Sequence, residues 1–493
     1  MTPAELVVPA GGDLQAALNR ARRGDVILLE PGATYVGNFV LPATPGISYI
    51  TIRSAADPAR FPAGGRVAPE HAQWMPTLRS PNGAPALATD PRAHHWRLQW
   101  LAFAGNANGI GDIITLGDGG LAQTDAAQIP SSFILDGLII RGDPVHGQKR
   151  GIALNSGYTT IRNSDIRGIK AIGQDSQAIC GWNGPGPFLI ENNYLEAAGE
   201  NIMFGGADPA VRELVPSDIT IRGNYFTKSL TLRGSGSPWT VKNLLELKSA
   251  RRVLIDANLF ERNWAAAQTG YAILFTPLNQ GGQAPWTVVA DVTFQFNIVR
   301  DVASGINILG RDYMNVSKQT ERIRIRQNLF DGIDAARWGG DGRFLLIGDG
   351  PSNIVVDHNT VMQTGSILHL YGELNASPWP VHNLQFTNNI ALHNEYGIVG
   401  DGRRMGQDTL SAYTDGAQTV AANVIAGANA PLYPPRNYFP TVAELMSEFV
   451  DGSGRDYLLR PDSRFRRLAS DGSAVGADVA AIRRRMPAGH PPD

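Results

Sequence analysis

Along most of the chain, apolar residues alternate with polar ones in short runs, and each run ends on the same phrase. The phrase is an apolar residue, two variable residues, Asn, then two mostly apolar residues. It reads Ile221-Arg-Gly-Asn224-Tyr-Phe226, Ile255-Asp-Ala-Asn258-Leu-Phe260 and Phe294-Gln-Phe-Asn297-Ile-Val299. It returns as Ile325-Arg-Gln-Asn328-Leu-Phe330, Val356-Asp-His-Asn359-Thr-Val361 and Phe386-Thr-Asn-Asn389-Ile-Ala391. Outer copies centre on Asn193 and Asn423, and upstream the same place is held by Ser164, Leu138 and Leu101. A second apolar run precedes each phrase, as in Gly151-Ile-Ala-Leu-Asn155, Leu244-Leu-Glu-Leu-Lys248 and Gly305-Ile-Asn-Ile-Leu309.

Alternation with a period of two places residues two apart on one face of a strand, so each run is a strand with an apolar inner face. The Asn is expected at a sharp bend between two strands, in the left-handed conformation that Asn tolerates. Recurring Asn at one place in stacked strands predicts an amide ladder from rung to rung. Leucine-rich and propeller repeats have other periods and signatures, and neither is present. The pattern predicts an all-β fold, a right-handed parallel β-helix of about eleven rungs. The stretch Asp13-Leu-Gln-Ala-Ala-Leu-Asn-Arg-Ala-Arg22 has helical spacing behind an Asp N-cap, and is expected to be a short helix capping the first rung. Residues 1–460 are expected to form one β-helix domain. Residues 461–493 are expected as a C-terminal tail packing on or extending from the last rung, with Arg483, Arg484 and Arg485 in a solvated end. The longest loops, 227–242, 261–270 and 331–343, should wall one side.

Composition narrows the chemistry. Lys and Arg number 43 against 45 Asp and Glu, which gives no net-charge case for a nucleic-acid partner. One cysteine, Cys180, excludes an internal disulfide and a cysteine-based zinc site. No apolar run approaches the ~20 residues of a membrane span. The opening residues lack the basic and apolar stretches of a secretory signal. A monomer is expected.

The opening Pro9-Ala-Gly-Gly-Asp-Leu-Gln-Ala-Ala-Leu18 with Gly24-Asp-Val-Ile-Leu-Leu-Glu-Pro-Gly32, together with the Asn phrases, resembles the pectate-lyase-like right-handed parallel β-helix superfamily. The segments Gly199–Asp208, Asn243–Arg252 and Gly305–Asp312 are similar to a group of bacterial β-helix proteins. The resemblance implies a carbohydrate-active protein, secreted or periplasmic, with a polysaccharide as its partner. A polysaccharide lyase of uronate-containing glycans is the first expectation. A glycoside hydrolase in the same groove and a non-catalytic glycan binder are the alternatives. Asn243-Leu-Leu-Glu-Leu-Lys248 is similar to a floor strand of the chondroitinase B and alginate lyase group, where a Lys acts as base, an Arg assists and acidic residues bind calcium. That likeness implies Lys248 as the base. It leaves Ca2+ open as a cofactor, with Asn243 standing where an acidic calcium ligand would be.

Alternation in Leu245-Glu-Leu-Lys248 turns the leucines inward and Glu246 and Lys248 outward. Asn155, Trp182 and Asn307 fall at equivalent outward places, which predicts one surface groove. Eliminative cleavage needs a base for the proton beside a carboxylate, and positive charge for the intermediate. Lys248 is the candidate base, with Glu246 beside it and Arg252 and Arg311 as the neighbouring cations. Hydrolysis would need two carboxylates, for which Glu200, Asp208, Glu246 and Asp312 are the candidates. Trp182, Trp239, Trp264, Trp338 and Tyr371 are candidate sugar platforms, and Glu200 and Asp312 candidate subsite contacts. His358 and His382 are expected in structural turns, and His369 at the groove.

Overall fold

Sequential short strands that each bury one face can satisfy their backbone only by stacking, and that is the architecture observed. The computed structural model describes residues 3–234, 236–374 and 376–487. The six last residues of the expected tail lie outside them. The chain divides into two bodies, residues 1–241 with 280–284, and residues 242–279 with 285–493. Each is a right-handed parallel β-helix whose coils visit three sheets in turn. Among the described residues the second sheet has seven strands in the first body and six in the second, one to a coil, against about eleven coils expected in all. The coils missed are those of the short strands Thr34–Val36 and Thr77–Arg79, which precede any recognisable phrase.

In the first body a typical coil runs Gly157–Arg162, Asp165–Ile169 and Gln177–Gly181, one strand in each sheet. Inward residues stack in register, as in Ile114, Ile152, Ile179 and Ile202 of the third sheet. The second body repeats this with Leu245, Ile273, Ile306, Leu345, Leu368 and Ile398, all fully buried. The predicted helix is Leu14–Arg20, and the Asp13 carboxylate accepts the Ala16 N–H at 2.9 Å. Leu14, Ala17 and Leu18 are buried.

The Asn phrase works differently from the expected bend. The left-handed residue is the one before the ladder position: Asn163, Asn192, Ala257, Phe296, Gln327, His358, Asn388 and Ala422 have φ between 51° and 58°. The Asn itself is the ladder. In the second body Asn258, Asn297, Asn328, Asn359, Asn389, Asn423 and Asn437 pass amide hydrogen bonds along the stack at 2.9–3.1 Å. Each Oδ1 also accepts the backbone N–H of the Asn before it. Each Nδ2 from Asn297 to Asn423 also donates to a backbone carbonyl, such as that of Ile255 for Asn297. In the first body Asn193 and Asn224 do the same, and the Asn193 Oδ1 accepts the Ser164 backbone N–H.

A buried lysine closes one corner of the first body. Lys228 is fully buried, and its Nζ donates to the carbonyls of Ala197, Ala198 and Gly199 at 2.6–2.9 Å. Those carbonyls form the turn from the second sheet into the third. Burial pulls the Lys228 ammonium down to about 7, against the opposing pull of Glu200 and Glu196.

The tail is packed rather than solvated. A hairpin, Phe449–Asp451 with Asp456–Leu459, is tied down by Arg455 and by the Tyr457 hydroxyl, both on Asp331. From there the chain runs back along the coils: Ser470 bonds Asn388, Ala477 bonds Thr360 and Asp478 bonds Gln327. The helix Val479–Arg485 buries Val479 and Ile482. Arg483 pairs with Asp456 at 3.1 Å, and Arg485 lies 4.0 Å over the Phe296 ring.

Two predictions follow from these buried polar groups. Asn328→Ala strips the acceptor from two buried donors of Asn297, at roughly 1–3 kcal/mol per group left unsatisfied. The expected loss is about 2–4 kcal/mol by chemical denaturation, while the exposed Arg326→Ala stays within about 0.5 kcal/mol. For Lys228, the unfolded chain keeps a proton up to the ordinary lysine range while the folded chain releases it near 7. Stability therefore rises with pH between those values. In Lys228→Met that rise disappears, so wild-type stability relative to the variant increases from pH 7 to pH 10.

Candidate functional site

The third sheet is a floor between loops. In the second body the connections 264–270 and 334–344 enter it, and 310–320 leaves it. Its inward row is wholly aliphatic, and its outward row is Glu246, Leu274, Asn307, Leu346, His369 and Val399, in register. Glu246 and Lys248 alternate with the buried Leu245 and Leu247, so they do face outward. The loops nevertheless close over them, leaving Glu246 2% and Lys248 8% exposed. The carboxylate and the ammonium lie 3.5 Å apart. The Asn243 amide donates to Glu246 at 3.1 Å and to Gln268 at 3.1 Å.

The other residues proposed from sequence separate into three groups. Some hold loops in place. Asn155 is buried, and its Oδ1 accepts the N–H groups of Trp182 and Asn183 at 3.0 and 2.9 Å. Asp208 accepts from the backbone of Gly281 and Gln283 at 3.0 and 2.9 Å. Asp312 accepts from the backbone of Asn279 and Met314, both at 2.8 Å. Carboxylates that fix a loop in this way have fewer lone pairs for chemistry. Among the aromatics, Trp264 and Trp338 are buried in their own loops. Trp239 packs under Lys170 at 4.3 Å. Trp182 lies flat against Gly119 with its indole N–H on the Gly119 carbonyl, and Arg150 lies 4.9 Å from its ring. Tyr371 lies against Gly348, and burial pushes its hydroxyl up to about 12.

Other residues lie elsewhere. Arg252 was expected beside Lys248, but Lys248 ends a third-sheet strand and Arg252 belongs to the following first-sheet strand, Ala250–Asp256. It is exposed, and its charge acts on Asp291. Arg311 sits 5.7 Å from the Trp379 ring. Asn307 stays on the outward row. His358 bonds Asp357 and Ser473, and His382 bonds Asp415, as structural partners.

A polar row passed unread in the sequence. From the strand Asp112–Leu116 onward, the residue two before the first inward aliphatic of the third-sheet strand is polar. In the first body these residues are Asp112, Arg150, Gln177 and Glu200, linked in series at 2.7, 3.2 and 2.9 Å. Glu200 is therefore a buried member of this chain. In the second body the same offset gives Tyr271, Ser304, Arg343 and Ser366. The signal was available, as a polar residue at a constant distance before each third-sheet Ile or Leu run from Ile114 onward.

Among the described residues no three His, Cys, Asp or Glu side chains converge for a metal ion. The groups bonded to Glu246 here are an amide and an ammonium. Among the described residues no helix is long and apolar enough to cross a membrane.

No protein-family model matches the chain, and no curated protein matches it. Solved structures do. The PL6 family alginate lyase AlyGC aligns at a TM-score of 0.60 and 15% identity over 99% of this chain. The chain spans only 60% of that lyase. A mannuronic acid specific polysaccharide family 6 lyase from human gut microbiota aligns at 0.48 and 14%, over 90% of this chain and 84% of its own. The catalytic unit of a GH87 alpha-1,3-glucanase from Streptomyces thermodiastaticus aligns at 0.46 and 13%, over 89% and 70%. Coils through three parallel sheets, an N-terminal capping helix and the likeness to AlyGC establish the fold as a right-handed parallel β-helix.

Proposed function

We propose that the protein is a carbohydrate-active β-helix that cleaves a uronate-containing glycan by β-elimination on the third sheet of the second body. One observation carries this reading: the Glu246–Lys248 pair, nearly buried on an outward row that otherwise holds neutral side chains up to His369. Burying two charges costs several kcal/mol each, and a pair of aliphatics would serve the fold as well or better. A buried ionisable pair under flanking loops is a functional-site signature. The same fold carries an alginate lyase, which makes uronate glycans the substrate class to test first.

In this reading Lys248, as the free amine, takes the proton from the sugar carbon beside the carboxylate. The electron pair forms the ring double bond as the glycosidic C–O bond breaks. The departing oxygen then takes a proton back from the Lys248 ammonium, so protons balance and the lysine is restored. Glu246, 3.5 Å away, positions the Lys248 nitrogen.

A panel of acidic and neutral polysaccharides, read for unsaturated-uronate absorbance and for reducing ends together, tests this. Absorbance is expected to grow with wild type and to fall by about 10²–10⁴-fold in Lys248→Ala, the usual contribution of a proton-transfer group. Reducing ends without absorbance would instead mean hydrolysis, and binding without either product would mean a lectin-like role.

A further inference from the structure

The outward row that carries Glu246 runs on to His369 and Val399, and a cavity of about 430 Å³ opens there. That volume is within the range of small-molecule sites, about 300–1,000 Å³. Its lining includes Asp341, Arg343, Ser366, His369, Glu395 and Tyr396. Arg343 is paired with Asp341 at 3.1 Å. His369 Nε2 lies 2.7 Å from Asp401. Tyr396 is 49% exposed at the edge, an aromatic surface with no burial to explain it. Ser366 is 3% exposed, and its Oγ has no hydrogen-bond partner in the protein. A buried hydroxyl left without a partner costs free energy, which a bound polar group or water recovers.

The charge around this cavity decides what it accepts. Asp341, Glu395 and Asp401 supply three carboxylates, against one guanidinium that Asp341 already engages and one histidine. A uronate carboxylate placed here would meet like charge at short range. Hydroxyls would instead find acceptors in the carboxylates, a partner in Ser366, and an aromatic face in Tyr396 for the ring's apolar side.

We propose that this cavity is a subsite for an uncharged, hydroxyl-rich sugar ring, and that the glycan is mixed, with neutral sugars spaced from the uronate. The proposal rests on the glycan reading of the third sheet. His369 lies four rungs from Glu246, about 19 Å at ~4.8 Å per rung, so the two positions would contact different rings of one chain.

The test uses the full chain carrying Lys248→Ala, so that ligands bind without cleavage. Two probes are titrated calorimetrically: a homo-uronate hexasaccharide, and the same hexasaccharide with part of its carboxyl groups reduced to primary alcohols. The reduced probe is expected to bind at least tenfold tighter. Ser366→Ala and Tyr396→Ala should erase most of that preference without lowering Tm, because the Ser366 hydroxyl has no protein partner to lose and Tyr396 is exposed. Asp341→Asn with Glu395→Gln should raise affinity for the homo-uronate probe. Equal or tighter homo-uronate binding, or a preference untouched by these variants, overturns the subsite alone. Failure of both probes to bind overturns the glycan reading along with it.

Discussion

The structure depends on one constraint: every coil must place its corner at the same height and angle as the one before it. Parallel strands have no local hairpin to set their register, so something else must hold the sheets in line. The asparagine ladder does this. Each side-chain amide joins the backbone of the coil before it to the side chain of the next, and being fully buried it tolerates no missing partner. The aliphatic rows then stack inward residue on inward residue, and the outward rows are aligned as a consequence. A functional face built from single residues on successive coils exists only because that register is enforced.

The closed-over pair on the third sheet shows how the same scaffold accommodates chemistry. The strands between Asn phrases vary little, whereas the connections into and out of the third sheet vary in length and carry helices, hairpins and arginine-rich segments. These connections turn a flat sheet into a floor with walls, and they desolvate Glu246 and Lys248. A carboxylate and an ammonium at 3.5 Å in a nearly dry setting interact far more strongly than on an open surface. Their environment is a product of the loops, while their alignment is a product of the ladder.

Much of this was legible in the residues. The recurring Asn identified the fold, and alternation in Leu245-Glu-Leu-Lys248 agrees with the full burial of Leu245 and Leu247. The bend was misassigned by one residue, because Asn tolerates a left-handed backbone and was expected to use that tolerance. Here Asn is retained for its amide, and the residue before it turns the corner, even where that residue is Phe296 or Ala257. Arg252 was misplaced because four residues along a strand seem close, although a sheet boundary intervenes at Ser249. The burial of Lys248, the anchoring roles of Asp208 and Asp312, and the backward run of the tail depend on contacts between residues distant in sequence, which no local pattern encodes. Val479 and Ile482, three apart, did carry a helical signal for the docked tail.

The central claim is that a glycan lies along the outward row of the third sheet. A crystal structure of the Lys248→Ala protein soaked with a uronate-containing oligosaccharide tests it most directly. The account predicts sugar density running along that row, with a uronate ring within hydrogen-bonding distance of Glu246 or Asn243. Density bound to the first or second sheet, with the third sheet bare, would contradict it.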